Sequence, residues 1–320
     1  MKILPISIFV FSFLIQEVQA QQYPSCTIEN GLITAKLYLP NNDEGFYKST
    51  RFDWSGIIYE LKYKGHDYFG KWYPIHNPET TDAICGPVEE FSEIGYNEAN
   101  SHEEFLKIGV GGLRKPKERG YNKFKFYKIT NPGEWTISKT ENKIVFTHTV
   151  NNVSGYSYKY TKIVELLKDK PELIIKHILE NTGEKSISTE VYNHNFLTID
   201  FQPTSPDIIV RFSEDLKIKI GNNLMYTKKK EIRFKREFTS NENVMITNAI
   251  KEKGTNTVND IIVENKKTKA GVKITSESVY SQINFWASQN TYCPEPYINI
   301  EIPSQKDFKW GFTYKFYLMY

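Results

Sequence analysis

The chain has 320 residues, with 41 Lys and Arg against 38 Asp and Glu, a net charge of +3 and 14% aromatic residues. This nearly neutral mixture argues against a nucleic-acid partner or an anionic membrane surface. The length is enough for one large β domain or two smaller ones. The chain has three cysteines, Cys26, Cys85 and Cys293, and they lack the spacing of a zinc site. In an oxidising compartment two of them could form a disulfide, but the spacing does not say which two.

The first twenty residues have the three parts of an export signal. Lys2 supplies the positive start, residues 6–15 form a short and mostly apolar core, and Val18-Gln19-Ala20 is an A-x-A-like cleavage site. That apolar core and every later apolar run are too short to span a bilayer as a helix. We therefore expect an exported chain, periplasmic or secreted, that begins near residue 21 and does not insert into a membrane.

Strand patterns begin after this signal and are separated by turn residues. Residues 32–39, 57–63 and 67–73 read as the first strands. Residues 74–104 form a long irregular stretch, and such a stretch in a compact domain is typical of a functional loop.

From residue 105 onwards the strand patterns are almost continuous. We predict strands at 124–129, 134–138, 143–150, 156–166, 172–181, 186–195, 207–212, 216–220, 244–248, 260–264, 271–275, 282–287, 297–302 and 310–317. No segment keeps a 3.6-residue apolar period over a helical length, and no Gly/Ser or Pro linker divides the chain. The pattern predicts one all-β domain over residues 21–320, a large antiparallel β-sandwich with few or no long helices.

A histidine between two asparagines, Asn193-His194-Asn195, lies at the end of one predicted strand. Its reference pKa of about 6.5 suits proton transfer near neutral pH, although a histidine that is simply hydrogen-bonded inside a sheet is the alternative. The run Tyr192-Asn193-His194-Asn195-Phe196 resembles the catalytic histidine segment of the aldose 1-epimerase (galactose mutarotase-like) family. Leu179-Glu180-Asn181-Thr182-Gly183 resembles the turn upstream of it, and Cys293-Pro294-Glu295-Pro296-Tyr297 resembles the place of the family's glutamate. Residues 50–56 and 104–111 are similar to those of a secreted bacterial branch of mutarotase-like proteins.

The resemblance implies a mutarotase-like supersandwich and an isomerase that interconverts sugar anomers by general acid/base ring opening, without a metal or organic cofactor. His194 would be the acid and Glu295 the base, facing one cleft about a pyranose width apart. Glu301 is the rival base. Strand alternation places Glu301 towards solvent, whereas Glu295 lies between two prolines at a predicted strand entrance.

The ligand expected from the resemblance is a monosaccharide or oligosaccharide. Arg51 matches the family's sugar-binding arginine, with an ion pair to Asp53 as the alternative. The Asn193 and Asn195 amides either orient His194 or bind sugar hydroxyls, and Lys107 either contacts the ligand or extends along apolar surface. Candidates for sugar stacking are Trp54, Trp72 and Trp286. Candidates for the family's additional histidine are His76 and His102.

Two other functions stay open from the sequence. One is a non-catalytic carbohydrate-binding sandwich, and the other is a polysaccharide lyase, a glycoside hydrolase or an accessory domain of either. Glu89 and Glu90 offer a second carboxylate pair, but adjacent residues of an extended chain point in opposite directions, which disfavours a catalytic dyad. A fold alone does not decide among these functions.

Overall fold

The computed structural model describes residues 23–216, 219–251 and 260–320. The predicted export signal and part of the predicted strand 216–220 lie outside these ranges. Within them the regular structure is twenty-two β-strands and one 3-10 turn, Ile199–Phe201. In chain order the strands are β1 (Ser25–Glu29), β2 (Ile33–Tyr38), β3 (Ile57–Tyr63), β4 (His66–Asp67), β5 (Val88–Phe91), β6 (Glu104–Lys107), β7 (Gly111–Arg114), β8 (Ile129–Asn131), β9 (Glu134–Lys139), β10 (Lys143–Val153), β11 (Tyr156–Leu166), β12 (Glu172–Asn181), β13 (Ile187–His194), β14 (Ile208–Phe212), β15 (Met225–Lys228), β16 (Glu231–Phe234), β17 (Asn243–Lys251), β18 (Ile261–Asn265), β19 (Ala270–Ser276), β20 (Gln282–Ser288), β21 (Thr291–Ile302) and β22 (Asp307–Leu318).

Two antiparallel sheets form the sandwich. The larger has ten strands in the order β15-β16-β14-β18-β19-β22-β12-β11-β10-β9, and the smaller has five in the order β17-β20-β21-β13-β5. The predicted all-β antiparallel sandwich is confirmed. In the described ranges no helix reaches the length and apolarity that crossing a membrane requires.

The core lies between these two sheets because most of their strands turn an apolar face inward. On the five-stranded sheet Val191 and Ile300 point inward, and they share one hydrophobic cluster with Ile175 and Phe312 of the ten-stranded sheet. Each fully buried side chain of this kind stabilises the fold by about 1.5–3 kcal/mol. The opposite face of the five-stranded sheet is therefore left for other side chains. That face carries the site.

Two smaller sheets, β1-β2-β3-β4 and β6-β7-β8, complete the architecture. Three predicted elements need correction. The strand expected at 67–73 already ends at Asp67, and residues 124–128 are irregular, so that only β8 forms there. The irregular stretch 74–104 contains β5, whose sequence Val-Glu-Glu-Phe has no apolar alternation but which pairs with β13.

Strand β21 is longer than predicted because it includes both prolines. Pro294 and Pro296 pair with Phe285 and Ile283 of β20, whereas the register with β13 ends at Tyr297. Proline lacks a backbone N–H and is tolerated where one side of a strand is unpaired. Glu295 consequently lies within a strand and not at a strand entrance.

All three cysteines are free thiols, so none of the possible disulfides between them is formed. Cys85 and Cys293 are fully buried. Burial raises the pKa of the Cys85 thiol to about 12 and raises that of Cys293 well above its ordinary value. That residues 21–320 form a single domain stays a prediction.

Candidate functional site

A cavity of about 330 Å³ lies on the outer face of the five-stranded sheet. Its volume is within the range of small-molecule sites. The irregular segments that follow β4 and β7 cover this part of the sheet and supply Trp72, Asp82, Lys123 and Phe124. The other lining residues are Arg51, Tyr192, His194, Phe196, Met245, Trp286 and Glu295.

The structure brings His194 and Glu295 into direct contact in this cavity. Tyr192 of β13 pairs with Tyr297 of β21, so that the next side chains on the same face, His194 and Glu295, lie side by side. The imidazole Nε2 is 3.3 Å from the Glu295 Oε1. The expected separation of a pyranose width is therefore wrong.

Burial shifts the pKa values of this pair in opposite directions. It raises the pKa of Glu295 to about 7, an effect that the positive charges of Lys123 and Arg51 reduce. It lowers the pKa of His194 well below its ordinary value, and Arg51 and Lys123 lower it further. Both shifts favour the uncharged forms of the pair, a neutral imidazole and a protonated carboxyl group.

Aromatic rings enclose the pair. Phe196 stacks on the His194 imidazole with ring centroids 3.7 Å apart, and Trp286 meets that imidazole edge-on at 5.7 Å. Trp72 stacks on Phe196 at 5.4 Å. These rings make the walls of the cavity around the pair largely apolar.

Arg51 lies at the edge of the cavity as a fixed cation. Its Nε donates to the Glu90 Oε2 at 2.7 Å, its Nη2 donates to the Tyr192 hydroxyl at 3.0 Å, and Nη1 contacts Asp82. The rings of Phe52 and Phe124 lie 4.5 and 4.7 Å from its Cζ. The alternative pair with Asp53 is not formed.

Asn193 and Asn195 do not line the cavity. Alternation along β13 turns both amides towards the interior of the sandwich, where Asn193 Nδ2 donates to Glu89 Oε1 at 2.9 Å and Asn195 Nδ2 to the Pro294 carbonyl at 2.6 Å. The Tyr314 hydroxyl lies 3.0 Å from the Asn193 Oδ1 and 2.8 Å from the Asn195 Oδ1. These contacts fix the backbone on both sides of His194, so the structure favours the orienting role over ligand binding.

A fully buried charge cluster supports this interior face. Lys162 Nζ contacts Glu89, lies 3.6 Å from the Asp53 Oδ2 and donates to the Ser55 carbonyl at 2.9 Å. Burial raises the pKa of Asp53 to about 6, and Lys162 opposes this shift. Glu89 faces this cluster while Glu90 faces Arg51, so the two adjacent carboxylates point apart as predicted.

The remaining candidates lie outside this cavity. Lys107 lines an adjoining cavity, where its Nζ donates to the Tyr121 hydroxyl at 3.0 Å and burial lowers its pKa to about 8. Trp54 is buried in the core and donates to the Ser49 carbonyl. His76 packs on Phe46, whereas His102 is exposed.

Glu301 is exposed on its strand and hydrogen-bonds to Ser188. Among the residues that the structure describes, no group of three or more His, Cys, Asp or Glu side chains has the arrangement of a metal site.

Several lining residues were missed from the sequence. Tyr192 carried a usable signal, because it stands two positions before His194 in the same strand, whereas Phe196 follows the end of that strand with a φ of 38° and carried none. Asp82, Lys123 and Phe124 carried none, since they come from irregular segments whose path over the sheet is set by tertiary contacts. Met245 comes from an edge strand of the five-stranded sheet.

This chain is therefore a β-sandwich protein that holds a histidine and a carboxylate in an aromatic-walled cavity. The sequence matches no protein-family model and none of the curated proteins with which it was compared. Solved structures do match it over nearly the whole chain.

A galactose mutarotase related enzyme from Lactobacillus acidophilus superposes with a TM-score of 0.56 at 12% identity, covering 92% of this chain and 97% of that one. A galactose mutarotase-like protein from Clostridium acetobutylicum gives 0.55 at 14% identity, with 92% and 95% covered. The GalM/aldose epimerase homologue from C. elegans gives 0.54 at 12% identity, with 94% and 100% covered. This chain has the galactose mutarotase-like fold, and the resemblance predicted from the sequence is confirmed at the level of the fold.

Proposed function

We propose that this protein is an exported aldose 1-epimerase that interconverts the anomers of a sugar at the His194–Glu295 pair. The observation that carries the proposal is the 3.3 Å contact between His194 Nε2 and Glu295 Oε1 inside the aromatic-walled cavity. General acid/base catalysis needs one proton donor and one acceptor close to the reacting oxygens, and this contact provides both. The structural neighbours described as a galactose mutarotase related enzyme and a GalM/aldose epimerase homologue agree with such an activity.

The pKa directions support a particular starting state. With Glu295 protonated and His194 neutral, Glu295 gives its proton to the ring oxygen while His194 removes the proton of the anomeric hydroxyl. The bond between the ring oxygen and the anomeric carbon breaks, leaving an open-chain aldehyde, a carboxylate and an imidazolium. After rotation about the bond next to the aldehyde carbon, ring closure reverses both transfers and restores Glu295 and His194.

This starting state reverses the assignment implied by the family resemblance, in which His194 is the acid. The two assignments contain the same number of protons and differ only in where the shared proton lies. Burial favours the state without charges, because a carboxylate and an imidazolium are both penalised in a low-dielectric pocket. Each transfer of this kind accelerates the reaction by about 10² to 10⁴-fold.

Arg51 and Lys123 supply the fixed positive charge of the site. Three partners already hold the Arg51 guanidinium, which leaves N–H groups for sugar hydroxyls without cost in side-chain freedom. Lys123 lies 3.7 Å from the Glu90 carboxylate and is about one-third exposed, so its amine is able to reach a bound ligand. Trp286 and Trp72 provide stacking surfaces.

The test is the rate at which freshly dissolved α-sugars reach anomeric equilibrium, followed by polarimetry or NMR. The panel contains glucose, galactose, rhamnose, xylose and uronic acids, with Glu295→Gln and His194→Ala beside the unaltered chain. Glu301→Gln is the matched control, because Glu301 lies on the same strand but is exposed. Acceleration lost in the two cavity variants and kept in the control supports the proposal. Saturable sugar binding without acceleration would replace it with a carbohydrate-binding function.

Export is proposed from residues 1–20 alone. The mass of the mature protein recovered from outside the cytoplasm tests it, and a chain that begins near residue 21 is expected. A full-length chain retained in the cytoplasm would contradict it.

A further inference from the structure

A second cavity of about 400 Å³ adjoins the first. Lys123 and Tyr192 line both cavities, so the two cavities lie side by side. The side chains that matter for its chemistry are Glu93, Lys107, Tyr121, Glu190, Gln282 and Tyr297.

The strand register places the two cavities along one direction of the sheet. Gln282 pairs with Tyr297, Tyr297 with Tyr192, and Tyr192 with Glu90, which makes a row of four side chains across β20, β21, β13 and β5. All four line the second cavity. Two residues further along the strands, about 7 Å away, lies the row that contains Glu295 and His194. A ligand that continues from the catalytic pair along β13 and β21 therefore enters the second cavity.

Polar groups in the second cavity lack partners within the described part of the chain. Neither the half-buried Glu190 carboxylate nor the Gln282 amide makes a hydrogen bond or ion pair to a described residue. Lys107 is 1% exposed, and its amine has one hydrogen-bond partner, Tyr121, which leaves two donor hydrogens. These side chains offer hydrogen-bonding groups that fit a ligand rich in donors and acceptors.

The charges and the aromatic rings of the second cavity restrict the class of ligand further. Lys107 and Lys123 stand against Glu90, Glu93 and Glu190, so the cavity has no excess of positive charge that would select an anion. Tyr297 stacks on Tyr192 with ring centroids 4.5 Å apart, and Tyr121 also lines the cavity. Tyrosine rings beside mixed donors and acceptors match a neutral sugar ring.

We propose that the two cavities form one cleft with two sugar subsites, and that the substrate is a neutral reducing oligosaccharide of at least two units. Its reducing-end ring occupies the His194–Glu295 cavity, and the adjacent ring occupies the second cavity. This inference rests on the proposed epimerase function. Contacts to the non-reacting ring supply binding energy that raises kcat/KM for the longer substrate.

The experiment compares kcat/KM for anomer interconversion between monosaccharides and disaccharides with the same reducing end. Glucose is paired with maltose, cellobiose and lactose, and xylose with xylobiose. We expect at least one disaccharide to exceed its monosaccharide about tenfold, a difference that corresponds to about 1.4 kcal/mol of transition-state binding. The variants Glu190→Gln and Gln282→Ala are expected to bring this ratio towards one.

Glu165→Gln is the matched control for Glu190→Gln, because Glu165 is also a half-buried strand glutamate but lies in β11, outside both cavities. Its ratio should equal that of the unaltered chain. Accelerated monosaccharides with no preferred disaccharide, or a ratio insensitive to both cavity variants, would overturn the two-subsite cleft and leave the epimerase proposal intact.

Absence of acceleration on every sugar defeats the epimerase proposal, and binding then decides the cleft. Calorimetric titration of the same sugar pairs should still show tighter binding of a disaccharide that Glu190→Gln weakens. Equal binding of monosaccharide and disaccharide, or no binding of either, would overturn the cleft as well.

Discussion

The side-chain amide of Asn195 donates to the backbone carbonyl of Pro294 at 2.6 Å. Asn195 follows His194 and Pro294 precedes Glu295, so this bond ties together the two strands that present the pair. The register between β13 and β21 ends before this point, at Tyr192 and Tyr297. A side chain thus continues the connection where the backbone ladder stops.

Tyr314→Phe should weaken this connection. The hydroxyl lies between the Oδ1 atoms of Asn193 and Asn195, and its removal leaves buried acceptors unsatisfied, which costs about 1–3 kcal/mol. We expect lower unfolding free energy in denaturant titrations together with reduced kcat. Tyr317→Phe is the control on the same strand, since its hydroxyl bonds to the half-buried Glu264 away from the site. Equal loss of kcat in both variants would contradict the positioning role.

The rate of anomer interconversion should fall as the pH rises through about 7. Burial raises the pKa of Glu295 to about 7, and the one-proton state of the pair is lost when that carboxyl ionises. His194 is neutral on both sides of this midpoint because burial lowers its pKa. The pH dependence of kcat/KM reports the free protein. A rate that rises through pH 7 would instead assign Glu295 as the base in its ionised form.

The raised pKa of Glu295 also makes a stability prediction. The unfolded carboxyl releases its proton near its ordinary pKa of 4.5, whereas the folded one keeps it to about 7. The stabilising contribution is therefore present at low pH and is lost between these values. Glu295→Gln should remove this part of the pH dependence. From pH 5 to pH 8 the unfolding free energy of the variant should therefore increase relative to that of the unaltered chain. Parallel curves for the two proteins would contradict the shift.

Lys162→Met should destabilise the fold strongly. Lys162 is fully buried against Asp53 and Glu89, and removing one partner of a buried ion cluster costs about 3–5 kcal/mol. The loss should be larger at pH 8 than at pH 5, because burial raises the pKa of Asp53 to about 6 and its protonation at low pH relieves uncompensated charge. Lys159→Met on the same strand removes only an exposed pair with Glu180, for which about 0–1 kcal/mol is expected. Similar losses for both variants in thermal unfolding would refute the prediction.

Gly86→Ala should disturb the end of β13, which carries His194. A Cβ at this position would lie 2.7 Å from the His194 carbonyl oxygen, so the loop before β5 or the end of β13 must move. We expect a fall in kcat of tenfold or more, since small displacements of a catalytic group are costly. Gly120→Ala, where a Cβ meets nothing within 4 Å, is the control. Unchanged kinetics in the Gly86 variant would show that the loop yields freely.

Local sequence patterns predicted the sandwich well because its long strands alternate strictly. The same alternation contained an unused signal for the buried cluster. Lys162 stands in phase with the inward-facing Tyr158, Tyr160 and Val164, and a lysine at such a position requires a buried carboxylate partner. The partners themselves, Asp53 and Glu89, come from an irregular segment and a four-residue strand. Their approach depends on how distant parts of the chain pack, which local patterns do not encode.

The site was predictable to a similar degree. His194 and Glu295 lie in the motifs that resemble the family. Trp286 was a candidate only because it is an aromatic residue in a predicted strand. By contrast, Asp82 and Lys123 reach the cavity from covering segments without regular structure. Lys107 lies in β6 of the three-stranded sheet, and its place beside the second cavity depends on how that sheet packs against distant parts of the chain.

The free thiol of Cys293 is a built-in reporter of how often this part of the molecule opens. It is fully buried two residues before Glu295, and its raised pKa keeps it as the unreactive thiol while the strand is in place. A thiol reagent such as a chromogenic disulfide therefore reacts at a rate set by transient opening of β21. Cys26, which is only partly buried, labels earlier and marks the unopened protein. Slower labelling of Cys293 with added sugar would thus measure ligand-induced closing without any assay of turnover.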